Sequence, residues 1–154
     1  MITLKEIADK LNNKKKIAIF AHIRPDGDAL GSAFALKLAL NKAGKVAEVL
    51  CDGKTPEKFL LLNEKYGELK TESDGDYDCY FAVDVSDLAR LGKFSREFEK
   101  AKETFCVDHH VSNTGFAKYT FVRETASDSE NVYELIKLLG VKADKEIASF
   151  LLTG

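Results

Sequence analysis

Apolar residues run along this chain in two rhythms. Five short segments are almost continuously apolar and bounded by charged or turn-forming residues: "KKKIAIFAH" (14–22), "KVAEVLC" (45–51), "DCYFAVDVSD" (78–87), "ETFCVDHH" (103–110) and "AKYTFVRE" (117–124). Unbroken runs of this length predict strands buried on both faces, as in a parallel sheet. Between them lie segments with helical spacing. "ITLKEIADKLNN" opens the chain and stops at Asn12-Asn13, and "ALGSAFALKLALNKAG" is closed by Gly44. "TPEKFLLLNEKYG" starts on a Thr-Pro cap and ends at Gly67, and "LGKFSREFEKAK" reads as a helix. "SDSENVYELIKLLG" opens with Ser127 and Glu130 in a capping-box arrangement, and "DKEIASFLLTG" begins a last helix at Asp144.

Strand, helix, strand within about 35 residues is the right-handed crossover of a parallel sheet. Repetition of that unit predicts a doubly wound α/β fold, a mainly parallel sheet with helices on both faces. The 154 residues suit one domain with a real core. No internal repeat, low-complexity tract or linker interrupts them. With 45% apolar and 31% charged residues, the composition is that of a soluble globular protein. A net charge of −2 argues against a groove for long duplex nucleic acid, but leaves small anions open if a metal supplies the positive charge. Cys51, Cys79 and Cys106 are odd in number, lack C-x-x-C spacing and sit in apolar runs. Together with the absence of a signal-like or membrane-length segment, they predict reduced core thiols and a cytoplasmic location.

Chemistry-bearing residues collect at three strand ends: His22-x3-Asp26-x-Asp28, then Asp84, then Asp108-His109-His110. The carboxyl ends of parallel strands share one sheet edge, so these groups are expected to converge. All three histidines of the chain fall in this set. Imidazoles mixed with carboxylates fit Mn²⁺, with Mg²⁺, Co²⁺ or Zn²⁺ less well suited, and a carboxylate from a central strand can bridge two cations. Gly27 would allow a close backbone approach. Gly31 and Ser32 would offer N–H groups to a phosphate at a helix start. Arg90 reads most simply as helix surface after Asp87, although it is near enough in sequence to reach a substrate phosphate. Taken singly, Asp26 and Asp28 are ordinary turn or cap residues, and only the joint occurrence points to metal. "DGDYD" (74–78) mimics a calcium loop but has Cys79 where the turn glycine belongs, so it reads as a solvated turn.

The run His22-x-x-Pro25-Asp26-Gly27-Asp28-Ala29-Leu30-Gly31-Ser32, the Asp84 strand and "DHHVSN" together resemble the DHH phosphoesterase superfamily. They are most similar to its branch of oligoribonucleases that also dephosphorylate 3′-phosphoadenosine 5′-phosphate. The resemblance implies a Rossmann-like three-layer fold and two Mn²⁺ ions. One would be held by His22, Asp26 and Asp84, the other by Asp28, Asp84 and His109, with Asp84 bridging. It implies that Asp108 orients His109, that His110 contacts the scissile phosphate, and that Asn113 orders the loop or touches substrate. The implied reaction is hydrolysis of short oligoribonucleotides or 3′-phosphoadenosine 5′-phosphate by hydroxide attack, without a covalent enzyme intermediate. Cyclic-dinucleotide phosphodiesterase, pyrophosphatase and single-strand exonuclease activities belong to the same superfamily, and a non-catalytic metal- or nucleotide-binding fragment is the rival from another class. A homodimer is compatible with this picture. Family members continue with a fourth acidic motif and a C-terminal substrate-binding domain. Residues 1–154 are therefore expected to be a truncated catalytic domain with little activity alone, exposing an apolar edge at Ile147, Phe150 and Leu151.

Overall fold

A computed structural model describes residues 1–59 and 69–154. Five parallel strands form one sheet: β1 (Lys16–Phe20), β2 (Val46–Leu50), β3 (Cys79–Val83), β4 (Thr104–Asp108) and β5 (Tyr119–Val122), in the order β2-β1-β3-β4-β5. The register pairs Ile17 with Ala47 on one side and Cys79 on the other, then Tyr80 with Thr104 and Phe105 with Tyr119. All five apolar runs are strands, and chain order reverses direction between β1 and β3. That reversal opens a crevice at the carboxyl edge of the sheet, where ligands of open α/β sheets bind.

The described helices are α1 (Leu4–Leu11), α2 (Gly27–Lys42), α3 (Ser95–Lys100), α4 (Asp128–Leu138) and α5 (Lys145–Leu151), with 3₁₀ turns at Glu57–Phe59 and Leu88–Phe94. Period-two alternation along the strands splits the core. Ile17, Ile19, Phe81, Phe105 and Val107 face α1, α2, α4 and α5, while Ala18, Phe20, Tyr80, Ala82 and Cys106 face Leu91, Phe94 and Phe98. The sheet is thus covered on both faces, as its apolar strands require.

Local signals account for most of the helix ends. Thr3 and Glu6 form a reciprocal capping box, and the Asp26 side chain caps α2 by accepting the Ala29 N–H. At α4, Ser127 accepts from Ser129 N–H as N-cap, but Glu130 reaches back to the N–H of Ala126 rather than to that of Ser127. The segment expected as one helix over 91–102 divides at Gly92, whose φ of +59° ends helical winding, so 3₁₀ turns precede the short α3. Of the helix expected over 55–67, the structure describes only the turn at Glu57–Phe59; residues 60–67 lie outside the described part.

The apolar edge expected on the last helix is largely covered, with Leu151 half-buried and its neighbour Leu152 exposed. Ile147 and Phe150 are buried, and Phe150 stacks on Phe34 of α2 with ring centroids 5.4 Å apart. α5 finds its partner inside the domain because Gly31 leaves room for it: a Cβ at Gly31 would lie 2.5 Å from the Phe150 carbonyl oxygen. All three cysteines are free and buried, as expected. The "DGDYD" turn serves the sheet: Asp78 accepts the N–H groups of Lys15 and Lys16, and Asp74 pairs with the Lys16 ammonium at 2.7 Å. Among the described residues, no helix is long and apolar enough to cross a membrane.

Candidate metal centre

Asp84 stands at the middle of the crevice. It follows the last residue of β3 and has a φ of +57°, a left-handed conformation that non-glycine residues rarely adopt. The consequence is visible in its neighbours. Val83 belongs to one core and Val85, which strict alternation would put on the same face, belongs to the other. The break in alternation turns the chain at the sheet edge and leaves the Asp84 carboxylate there, with the side chain 3% exposed.

Three imidazoles surround that carboxylate. His22 Nε2 is 3.7 Å from Asp84 Oδ2, while His109 Nε2 and His110 Nδ1 are 3.3 and 3.5 Å from Oδ1. Asp26 Oδ1 lies 3.9 Å from His22 Nε2, and Asp28 Oδ2 lies 3.6 Å from His109 Nε2. The sequence motifs therefore do converge. Two donor groups have ligand atoms within 4.8 Å of one another: His22, Asp26 and Asp84, and Asp84, His109 and His110.

Hydrogen bonds to the other ring nitrogens fix which atoms are free. His22 Nδ1 meets the Ile23 carbonyl at 2.7 Å, and His109 Nδ1 meets the Thr125 carbonyl at 3.0 Å. A carbonyl only accepts, so each Nδ1 carries the proton and each Nε2 keeps a lone pair directed to the carboxylates. His110 differs, because its Nδ1 donates to Asp108 Oδ1 at 2.8 Å and is thereby occupied. Asp108 is fully buried. It meets the ring of His110 and takes only the backbone N–H of His109, so the expected orientation of the His109 ring by Asp108 is replaced by Thr125.

Asp28 is saturated on one oxygen and open on the other. Oδ1 accepts from the hydroxyls of Ser32, Ser127 and Ser129 and from the Ser129 N–H, whereas Oδ2 accepts only the Asp128 N–H. The open lone pair is on the oxygen nearest His109. Ser32 is thus an inward partner of Asp28, fully buried and touching Ser129, rather than a surface phosphate ligand. Gly31 is likewise buried under α5. α2 begins at Gly27, four residues earlier than a phosphate role for positions 31 and 32 requires, so their N–H groups lie beyond the unpaired first turn.

Asn113 Nδ2 donates to Asp108 Oδ2 at 2.6 Å and to the Val85 carbonyl at 3.0 Å, and its Oδ1 accepts the Gly115 N–H. It orders the loop beneath His110. Arg90 N–H bonds to Asp87, and the Arg90 carbonyl accepts the N–H of Ile23, tying this turn to the loop after His22.

Residues 16–154 match the model described as DHH family, N-terminal domain. The chain belongs to the DHH family. It is 33% identical over 139 residues to the bifunctional oligoribonuclease and PAP phosphatase NrnA of Thermus thermophilus, covering 90% of this chain and 41% of that one. It is 29% identical over 147 residues to a probable manganese-dependent inorganic pyrophosphatase of Streptococcus mutans, again with 90% of this chain and 46% of the relative. Among solved structures, an exopolyphosphatase-related protein from Bacteroides fragilis superposes with a TM-score of 0.88 at 25% identity, over 98% of this chain and 48% of that one. The chain spans about half the length of the curated relatives it matches.

The DHH residues fit a divalent cation on physical grounds. Asp84 Oδ1 is buried without a hydrogen-bond partner, a costly state that a cation relieves. Among the described residues, Asp26, Asp28, Asp84 and Asp108 make ion pairs only with histidines. Burial, followed by the charges of Asp28, Asp128, Asp26 and Asp108, pushes the Asp84 carboxyl up to about 9. So much uncompensated negative charge calls for positive charge from outside the chain.

Asp128 escaped the sequence reading. It is fully buried, accepts the Asp84 N–H at 3.1 Å and the Asn131 amide at 3.0 Å, and burial raises its carboxyl to about 7. Within "SDSE" it looks like a helix-start acid. Only packing of α4 against the strand ends shows otherwise.

Proposed function

We propose that this domain is the catalytic half of a manganese-dependent phosphoesterase that hydrolyses short oligoribonucleotides and 3′-phosphoadenosine 5′-phosphate. The observation that carries the reading is Asp84, a buried carboxylate with imidazole nitrogens on both oxygens and one oxygen otherwise unpaired. His22, Asp26 and Asp84 would hold one cation. Asp28, Asp84 and His109 would hold the second, because His110 Nδ1 is occupied by Asp108 while Asp28 Oδ2 keeps a free lone pair. When bound, divalent cations neutralise charge growing on a phosphoryl group and acidify water.

The chain's own residues do the rest. Ile23 and Thr125 carbonyls lock His22 and His109 in one tautomer, so both rings present Nε2. Asp108 and Asn113 hold His110, whose side chain is 35% exposed; as the imidazolium, with Nδ1–H kept on Asp108, its Nε2–H would donate to a substrate phosphoryl oxygen. Exposure rises from buried Asp84 to His110 and Asp26, so the crevice opens on the side of those two residues, where a nucleotide would enter. Mixed nitrogen and oxygen donors support Mn²⁺, with Mg²⁺ or Co²⁺ as substitutes. The identity to NrnA supports the nucleotide substrates, and the pyrophosphatase relative supports pyrophosphate as the second reading.

A substrate panel separates the two. Mn²⁺-dependent release of mononucleotides from di- to pentaribonucleotides, and of phosphate from 3′-phosphoadenosine 5′-phosphate, is expected to exceed turnover of pyrophosphate and cyclic dinucleotides. Turnover of pyrophosphate alone would replace the proposal with the second reading.

A further inference from the structure

Asp128 takes no part in the chemistry above, yet its N–H and one carboxylate oxygen are committed to residues that do. Its Oδ2 accepts the backbone N–H of Asp84 at 3.1 Å, and its own N–H donates to Asp28 Oδ2 at 2.8 Å. Its other oxygen, Oδ1, accepts from Asn131 Nδ2 at 3.0 Å, and Asn131 is anchored in turn by Arg123, whose Nε donates to Asn131 Oδ1 at 2.9 Å. One buried residue at the start of α4 therefore spans the carboxylates from β3 and α2.

The bond to Asp84 matters because of where Asp84 sits. A non-glycine residue at φ +57° persists only when its surroundings over-determine it. The Asp84 N–H is shared between the Val107 carbonyl, which continues the sheet ladder, and Asp128 Oδ2, which does not. The second acceptor lies off the ladder and marks the turn. An acid is needed at 128 because both oxygens meet N–H donors. An asparagine would set its own NH₂ against either Asp84 N–H or the Asn131 amide.

Resting on the proposed two-cation reading, we propose that Asp128 is a positioning residue that holds Asp84 in its left-handed turn and spaces it from Asp28, so that both carboxylates can share a cation with His109. The test compares the parent chain with Asp128→Asn, Asp128→Ser and Glu130→Gln, the last removing a charge from the same helical turn without touching Asp84 or Asp28. Calorimetric Mn²⁺ titration and metal-free thermal unfolding are measured on each, with the Asp84 amide proton followed by NMR. Loss of an outer partner of a metal ligand typically weakens binding about 10–100-fold. That loss is expected in both Asp128 variants, with a shifted Asp84 amide and a cooperative metal-free transition, whereas Glu130→Gln should match the parent.

Mn²⁺ affinity within twofold of the parent in folded Asp128 variants would overturn the positioning role while leaving the two-cation reading intact. Failure of both Asp128 variants to fold would overturn it too, by making Asp128 a residue of stability. A parent chain that takes up no Mn²⁺ would remove the two-cation reading and this inference together.

Discussion

Asp84 and the two adjacent histidines make the sharpest residue-level claims. The Asp84 carboxyl is raised to about 9 by burial and neighbouring acids, so at pH 7 in the metal-free protein it holds a proton that a cation must displace. Mn²⁺ affinity should then rise with pH up to about 9, by up to about tenfold per pH unit, and binding near neutrality should release about one proton. Calorimetry in two buffers of different ionisation enthalpy reads the proton directly; no release between pH 7 and 8 contradicts the assignment. The same shift fixes the sign for stability. A carboxyl raised above its unfolded value near 3.9 stabilises the fold at low pH, and that contribution fades as pH rises towards 9. The metal-free unfolding free energy should accordingly fall by up to about 1.4 kcal/mol per pH unit across that window, with Mn²⁺ opposing the trend. His109 and His110 should separate. His109→Ala is expected to lower Mn²⁺ affinity, whereas His110→Ala should keep the metal and lower the rate about 10²–10⁴-fold, since its ring is held by Asp108 and not by the cluster. Equal loss of Mn²⁺ binding in the two variants would reject the division of roles.

At the scale of elements, α2 does two jobs that the sequence does not distinguish. Its start carries Asp26 and Asp28 into the crevice, and its second turn is flattened by Gly31 so that α5 can lie against it. Gly31→Ala should therefore cost stability, about 1–3 kcal/mol by overpacking, and leave Mn²⁺ affinity little changed. Urea denaturation beside a metal titration checks this, and an unchanged midpoint would return Gly31 to a ligand role. The reading of Gly31 and Ser32 as phosphate donors failed because a glycine-serine pair near a helix start looks the same whether it faces solvent or a partner helix. The strands were legible because five buried runs with hard polar ends admit few alternatives. Thr125, Ser127 and Asp128 were not, because their partners, His109, Asp28 and Asp84, come from elements distant in sequence. A helix-start acid and a buried site acid share one local pattern.

For the whole molecule, the convergence of His22, Asp84 and the Asp108–His110 run was legible from the rule that parallel strands end at one edge, and the crevice falls at the β1–β3 reversal. The strand order itself was not, because fully apolar strands carry no mark of their neighbours. Burial of the thiols follows from the same layered packing and pushes Cys51 and Cys79 up to about 12, so neither should react with a thiol reagent at pH 8 until the chain unfolds. Labelling of either cysteine in the folded protein would contradict the closed layers around the sheet. The central claim is that one carboxylate joins two cations, and the most direct measurement of it is Mn²⁺ titration into the parent chain and Asp84→Ala, with thermal unfolding of both. The account predicts that Asp84→Ala remains folded and loses high-affinity Mn²⁺ binding at both sites together. A variant that keeps the parent's stoichiometry and affinity would contradict it.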